Sequence, residues 1–183
     1  MPSSKASPPA GGIIYTIGHS THDTDTFIGM LKAYDIACLA DIRTLPGSRR
    51  VPQFNREQLE PALEKAGIYY VHLKALGGLR HTTAASVNTG WRNKSFRGYA
   101  DYMQTAAFAE ALQELMKLAA SRTTVMMCAE AVPWRCHRSL VGDALLVKGW
   151  QVIDIFSATH SAPHTLTTFA RVEDGVITYP GPV

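Results

Sequence analysis

Val125-Met-Met-Cys-Ala-Glu-Ala-Val-Pro-Trp-Arg-Cys-His-Arg-Ser139 is the stretch on which the reading of this chain turns. It opens as a short apolar run suited to a buried strand, passes through Cys128 and Glu130, turns at Pro133, and resumes at Cys136-His137-Arg138. Leu140, Val141, Ala144 and Leu145 then recur at helical spacing, and Gly149 is a C-terminal stop. Strand, loop and helix in that order make the repeating unit of an α/β protein. Arg135, His137 and Arg138 crowd the predicted helix start, where the macrodipole is already positive and acidic side chains are favoured. Cations set against that trend require an anion, and a helix N-terminus is itself an anion site. The plainer alternative is that these side chains point into water.

Working outward, the same unit recurs on both sides. Ile13 to Ile17 reads as a first strand ending at Gly18-His19-Ser20. A helix follows, capped by Thr24 or Asp25, with Phe27, Ile28, Leu31 and Tyr34 on its apolar face. Ile36 to Ala40 is a second buried strand closed by Asp41-Ile-Arg43, and the loop from Thr44 to Phe54 contains Pro46, Gly47 and Pro52. Asn55 and Gln58 resemble a capping box, Pro61 must kink or restart the helix that follows, and Gly67 ends it. Ile68 to Leu73 is a third strand. An irregular stretch runs from Leu76 to Ser95, long enough to be functional or mobile. Phe96 to Gln104 reads as a short helix, and Phe108, Leu112, Leu115, Met116 and Ala119 mark a longer one. Thr123 to Cys128 and Gln151 to Phe156 complete the strands, and Glu173-Asp174-Gly175 is a hairpin turn between residues 167–172 and 176–179.

This alternation predicts a three-layer α/β fold: a mainly parallel central sheet, helices on both faces, and a short C-terminal β-hairpin. It does not fix the strand order. Residues 13–183 read as one domain, and residues 1–12, rich in Ser, Pro, Ala and Gly, as a disordered tail with no signal-peptide core. The 183 residues, 46% hydrophobic and 18% charged, suffice for a single core, and no apolar run reaches membrane-spanning length. Three cysteines, an odd number, argue for reduced thiols in the cytoplasm rather than a secreted disulfide framework.

The net charge of +3 alone identifies no partner. Its distribution is more telling. Residues 42–56, 73–100 and 131–142 contain 11 of the 18 Lys and Arg residues and no acid. Each conspicuous polar cluster also follows a strand, and ligands of open α/β sheets bind at the carboxyl ends of strands. The expected site is therefore a basic pocket on that edge. Arg43, Arg135 and Arg138 would hold an anion there, with Ser20, Ser48 and Cys136 beside them. His19 or His137 would move protons, and Cys128 or Glu130 would act at the reactive centre. Each has a bland alternative. Cys128 can be a buried, inert thiol, and Glu130 can be a salt bridge to Arg43 or Arg138 that fixes the loop. Asp41 either orients Arg43 or caps its loop. Cys38 belongs to the core.

Two other chemistries fit less well. The strand–Cys–loop–Arg–helix order resembles that of cysteine phosphatases, but six residues separate Cys128 from Arg135, one more than in those loops. Pro133 also removes a backbone donor, and Glu130 would repel phosphate. Zinc would suit Cys128, Cys136, His137, His19 and His22 as ligand types, but the Cys128-x7-Cys136 spacing lacks the tight pairs of structural sites. No metal or other cofactor is therefore predicted. Trp91-Arg-Asn-Lys-Ser-Phe-Arg-Gly-Tyr99 can stack a base and neutralise phosphates, or can be a solvated loop whose aromatics cover the core. The expected ligand is a phosphate-bearing small molecule or a nucleic acid, handled by an enzyme or by a non-catalytic binding module, with no membrane partner.

With these residues in view, the chain resembles a bacterial family catalogued as domain of unknown function 488. The likeness covers roughly Ile13 to Ile155. It rests on Thr16-Ile-Gly-His-Ser20, Asp41-Ile-Arg43 with Pro46 and Ser48, Phe54, Leu76-Gly-Gly78, Cys128-Ala-Glu130 and Cys136-His-Arg138. The resemblance implies an α/β fold and a site at these positions, and no reaction.

Overall fold

The computed structural model describes residues 11–182. Five strands, β1 (Ile13–Gly18), β2 (Cys38–Asp41), β3 (Tyr69–His72), β4 (Thr124–Cys128) and β5 (Gln151–Ser157), run parallel, and β6 (His160–Pro163) returns antiparallel along β5. The order across the sheet is β3-β2-β4-β1-β5-β6, and β7 (Arg171–Glu173) with β8 (Val176–Thr178) forms a separate hairpin. The α/β architecture is as expected from the alternation.

Period-2 side-chain alternation along buried strands builds two cores from one sheet. Val125 and Met127 face one side with Ile17, Leu39 and Ile155, where α1 (Thr24–Ala33) and α2 (Arg56–Lys65) supply Phe27, Leu31, Leu59 and Leu63. Met126 and Cys128 face the other side with Ile14, Ala40 and Val152. There α3 (Lys94–Tyr102), α4 (Ala106–Ser121) and α5 (Arg138–Val147) supply Tyr99, Leu112, Leu115, Leu140 and Leu145. The helices thus cover both faces. Parallel register aligns Gly18 with Cys128, and Asp41 with both Met127 and His72, so these strands end along one edge.

Several local expectations need correction. Asp23, one residue before the expected caps, caps α1, its Oδ1 accepting from Thr26 N at 2.7 Å; it is the last residue with extended backbone. Asn55 forms no capping box, because its Oδ1 accepts from Ser48 N at 2.6 Å and so ties down the preceding loop. Helix α2 continues through Pro61. A 3₁₀ turn at Pro52–Phe54 interrupts the loop expected to be irregular. Strand β6 was not foreseen, since His-Ser-Ala-Pro has neither apolar alternation nor β-branching; Pro163 is tolerated on a sheet edge. Asp174 and Gly175, with φ of 50° and 77°, close the hairpin as its two-residue turn demands.

The stretch between β3 and α3 lacks regular structure but is pinned. Asp101 of α3 accepts from Ser86 Oγ and Asn88 Nδ2 through Oδ1, and from Thr82 Oγ1 and Thr83 N through Oδ2. Asn88 is fully buried and accepts from Tyr179 N, joining the loop to the C-terminal segment. The expected tail falls outside the described residues except for Gly11 and Gly12, which hydrogen-bond to Gly149 and Gln151.

Candidate functional site

Cys128 ends β4, and Arg138 begins α5 on the far side of the intervening loop. Between them, a 3₁₀ turn at Pro133–Arg135 folds the chain back far enough for the two side chains to meet. Arg138 Nη1 donates to Cys128 Sγ at 2.7 Å and to the Glu130 carbonyl at 2.5 Å, and Nη2 donates to the Ala131 carbonyl at 3.2 Å. Its Nε donates to Thr16 Oγ1 at 3.3 Å. The guanidinium is therefore buried and committed to the protein, which corrects the expectation that Arg138 holds a substrate anion. The Cys128 sulfur is one of its acceptors.

The loop can lie this close only because β1 ends in glycine. A Cβ on Gly18 would sit 1.6 Å from the Glu130 carbonyl oxygen. Beyond it, His19 N and Ser20 N donate to the carbonyls of Cys128 and Ala129, extending the β1–β4 pairing past the strand ends. Ser20 has a φ of 48°, in the left-handed region, and its carbonyl accepts from His19 Nδ1 at 2.8 Å.

That bond fixes the His19 tautomer. With its proton on Nδ1, His19 presents the Nε2 lone pair to Arg43 Nη1 at 3.3 Å. Burial pushes the His19 pKa down to about 4, assisted by the Arg43 charge and opposed by the Ser20 bond, so the ring is neutral at pH 7. Arg43 is held by Asp41 in a bidentate pair, Nε to Oδ1 at 2.9 Å and Nη2 to Oδ2 at 2.8 Å, and by the Phe54 carbonyl at 2.8 Å. Asp41 Oδ1 also accepts from Arg43 N at 3.1 Å, so Asp41 both orients Arg43 and caps its loop. Phe54 also stacks on His19, with ring centroids 4.4 Å apart.

Cys136 and His137 complete the opposite wall. His137 Nε2 donates to the Ile42 carbonyl at 3.1 Å, leaving Nδ1 as an acceptor 3.5 Å from Cys136 Sγ. Burial pushes the His137 pKa down to about 4, so this ring too is neutral. A Cβ on Gly78 would meet His137 Nδ1 at 3.2 Å, so this glycine keeps the ring face clear. The Cys128 thiol is pulled down to about 7. Burial works against this, and is outweighed by the hydrogen bond from the Cys136 thiol, the Arg138 charge and bond, and a backbone bond at Glu130. The Cys136 thiol moves the other way, pushed up by its bond to Cys128 and by burial.

A cavity of about 470 Å³ opens at this edge. Arg43, Cys128, Glu130, Arg135, Cys136 and His137 all line it. His19 stands behind Arg43, and Arg138 behind Cys128. Ser20 and Ser48 are not among the lining residues. Ser48 Oγ instead accepts from Arg50 N at 3.1 Å. Among the described residues the Glu130 carboxylate makes no ion pair; Arg43 is taken by Asp41, and Arg138 meets only the Glu130 carbonyl. The salt bridge offered as the alternative role of Glu130 is thus absent among the described residues, and its side chain is exposed on the rim. Arg135 is likewise exposed and unpaired among the described residues. Apolar Leu45 and Leu79, 71% and 79% exposed, also line the opening.

Trp91 and Tyr99 do not form a base-stacking platform. Trp91 packs on Phe96, Phe169 and Tyr179, and Tyr99 is buried with its hydroxyl on the Leu76 carbonyl. Among the described residues no group of three or more His, Cys, Asp or Glu side chains is arranged to hold a metal. No helix among them is long and apolar enough to cross a membrane.

Sequence reasoning missed a buried network behind the site. Thr16 Oγ1, which accepts from Arg138, donates to Asp154 Oδ1 at 2.5 Å. His164 lies between two acids, with Nε2 2.9 Å from Asp143 Oδ1 and Nδ1 3.6 Å from Asp154 Oδ2. Thr167 Oγ1 and Tyr179 OH both donate to Asp143 Oδ2. A signal was available: Asp143 interrupts an apolar helix stripe and Asp154 an apolar strand, and buried carboxylates require partners.

No curated protein and no solved structure matches the chain. A family model does match, over residues 23–145, which include β2, β3, β4 with Cys128, most of α5 with Arg138, and the loops that carry Arg43 and Cys136. By that match the chain belongs to the family described as domain of unknown function DUF488.

Proposed function

We propose that this protein is an enzyme in which the Cys128 thiolate acts on a phosphate-bearing substrate bound in the cavity at the sheet's carboxyl edge. The single observation that carries the reading is the 2.7 Å contact between Arg138 Nη1 and Cys128 Sγ at a cavity wall. A buried cation with its other donors taken by the protein favours the thiolate over the thiol, and the thiolate is the nucleophilic form.

Substrate charge would be met by Arg135 and by the side of Arg43 not occupied by Asp41, with Asn93 and Ser95 at the start of α3 on the same wall. Glu130, exposed on the rim, is placed to exchange protons with a bound group. Neutral His19 holds Arg43 in position rather than donating a proton to substrate. The scheme needs no cofactor. Three unpaired cysteines favour a reducing, cytoplasmic setting.

The test is iodoacetamide alkylation across pH, followed by peptide mapping, with Cys38 as the internal control. Cys38 is buried in β2 and its thiol is pushed up by burial. Cys128 should react with a midpoint near 7 and at least tenfold faster than Cys38 at pH 7. Inorganic phosphate or a mononucleotide should protect it. Alkylation of Cys128 no faster than that of Cys38 would sink the enzyme reading. Salt-sensitive oligonucleotide binding would then point to a non-catalytic binding module.

A further inference from the structure

Cys136 has no evident part in gripping a substrate. It is buried, Arg138 N donates to its sulfur at 3.5 Å, and His137 Nδ1 lies 3.5 Å from that sulfur as an acceptor. Both sulfurs border the same cavity, and both bond to one arginine, Cys128 through the guanidinium and Cys136 through the backbone. A second thiol bordering the same cavity as an arginine-paired sulfur, with an imidazole nitrogen 3.5 Å from it, is the arrangement of an attacking and a resolving cysteine.

We propose that Cys128 and Cys136 form a redox-active dithiol that a small hydroperoxide entering the cavity converts to an intramolecular disulfide. The proposal rests on the thiolate reading of Cys128 given above and adds a partner and an oxidant. In the first step the Cys128 thiolate attacks the terminal oxygen of the hydroperoxide. The O–O bond breaks, the sulfur becomes a sulfenic acid, and the departing alkoxide takes a proton from solvent. In the second, the Cys136 proton passes to His137 Nδ1. The freed thiolate attacks the Cys128 sulfur, the S–O bond breaks, and hydroxide leaves, collecting the proton from His137 as water. Two thiols and one hydroperoxide thus give one disulfide, one alcohol and one water. The peroxide is reduced by two electrons, and an external thiol returns the pair to the reduced state.

The geometry also accounts for which cysteine does which job. Arg138 Nη1 touches Cys128 and not Cys136, so the attacking thiolate is on Cys128. His137 Nδ1 touches Cys136, so the base serves the resolving thiol. Cys38 is the first residue of β2, at the opposite end of the strand from this cavity, and takes no part.

The experiment uses the full chain, fully reduced, exposed to one equivalent of tert-butyl hydroperoxide and quenched with N-ethylmaleimide under denaturing conditions. Trypsin cuts after Arg122, Arg135 and Arg138, so the disulfide would appear as peptide 123–135 linked to peptide 136–138. The expected result is that linked pair as the main product, lost on treatment with dithiothreitol, with Cys38 fully alkylated. In Cys136→Ser the linked pair should vanish and Cys128 should stop at sulfenic acid, trapped by dimedone, with a second equivalent of hydroperoxide taking it to sulfinic acid. His137→Asn should slow closure at least tenfold while leaving sulfenic acid formation at the wild-type rate. Wild-type Cys128 left as sulfenic acid, trapped by dimedone, with Cys136 still free would overturn the proposal. So would no loss of thiol at all. Alkylation rates measured on the same samples separate the two readings. Fast alkylation of Cys128 without disulfide removes the dithiol alone, whereas alkylation as slow as that of Cys38 without disulfide removes both.

Discussion

His164 Nε2 lies 2.9 Å from Asp143 Oδ1 while its other ring nitrogen faces Asp154. Burial disfavours the charged ring, but the bonds to Asp143 and Asp154 outweigh it and push the pKa up to about 9. The folded state therefore binds a proton that the unfolded chain, with a histidine pKa of about 6.5, releases earlier. The resulting stability is fully present below pH 6.5 and is lost as pH rises through about 9. Urea melts from pH 6 to 10 should show this alkaline decline. In His164→Gln the curve should be flatter over that range and lower at pH 6. An unchanged pH dependence in the variant would refute the assignment.

His19 and His137 act in the opposite direction. Both are held neutral with pKa values near 4, below the unfolded value. Their contribution is present above about pH 6.5 and is lost as pH falls through about 4, with a slope of about 1.4 kcal/mol per pH unit for each proton taken up. Acid unfolding should be shallower by about one proton in His19→Asn, as read from the pH dependence of the urea midpoint.

Arg138→Leu should leave a buried sulfur without its cation and the Glu130 and Ala131 carbonyls without donors. Removing one partner of a buried charged pair costs about 3–5 kcal/mol, so this variant is expected to be marginal. Arg138→Lys keeps the charge but loses the fork. Its Cys128 alkylation midpoint should rise from about 7 toward the ordinary thiol range. A midpoint that stays near 7 in Arg138→Lys, with the fold intact by circular dichroism, would show that the guanidinium is not the controlling group.

Gly18→Ala tests the backbone geometry of the site. The added methyl would occupy the space of the Glu130 carbonyl oxygen, so the loop must move or the strand must bend. A loss of about 3 kcal/mol is expected, at the upper end for overpacking. The displaced loop should also raise the Cys128 alkylation midpoint. Gly29→Ala, inside α1 with nothing within 4 Å of the new methyl, should raise stability by about 1 kcal/mol and leave the alkylation midpoint unchanged, which makes it the control.

The sheet was legible because its signal is local. Val125, Met126, Met127 and Cys128 announce a strand buried on both faces, and the period-3.6 stripe after Arg138 announces its helix. Parallel strands then bring His19, Arg43 and Cys128 to one edge whatever the strand order. Partner choice was not legible. A side-chain pair between Glu130 and Arg43 or Arg138 was one alternative, but the 3₁₀ turn at Pro133–Arg135 brings the Arg138 guanidinium to a carbonyl and a sulfur instead. Asp154 and His164 meet across β5 and the residue following β6, a contact set by an antiparallel strand that has almost no sequence signal. Asn55 illustrates the same limit at close range, since its oxygen can cap a helix or hold a loop with equal chemistry, and the fold chose the loop.

The central place of β1 has a consequence for how little of this chain can stand alone. The segment matched by the family model starts at residue 23, after β1, and stops at residue 145, before β5. Yet β1 pairs with β4 on one side and β5 on the other. A protein trimmed to 23–145 would present β4, five buried residues long, as a bare edge with unpaired amides and carbonyls. Such an edge is a template for any other extended chain, and the trimmed protein should aggregate rather than fold. It would also lack Thr16, so Arg138 would lose the hydroxyl that its Nε engages. The sequence that identifies the family is therefore shorter than the polypeptide needed to keep its cysteine in solution.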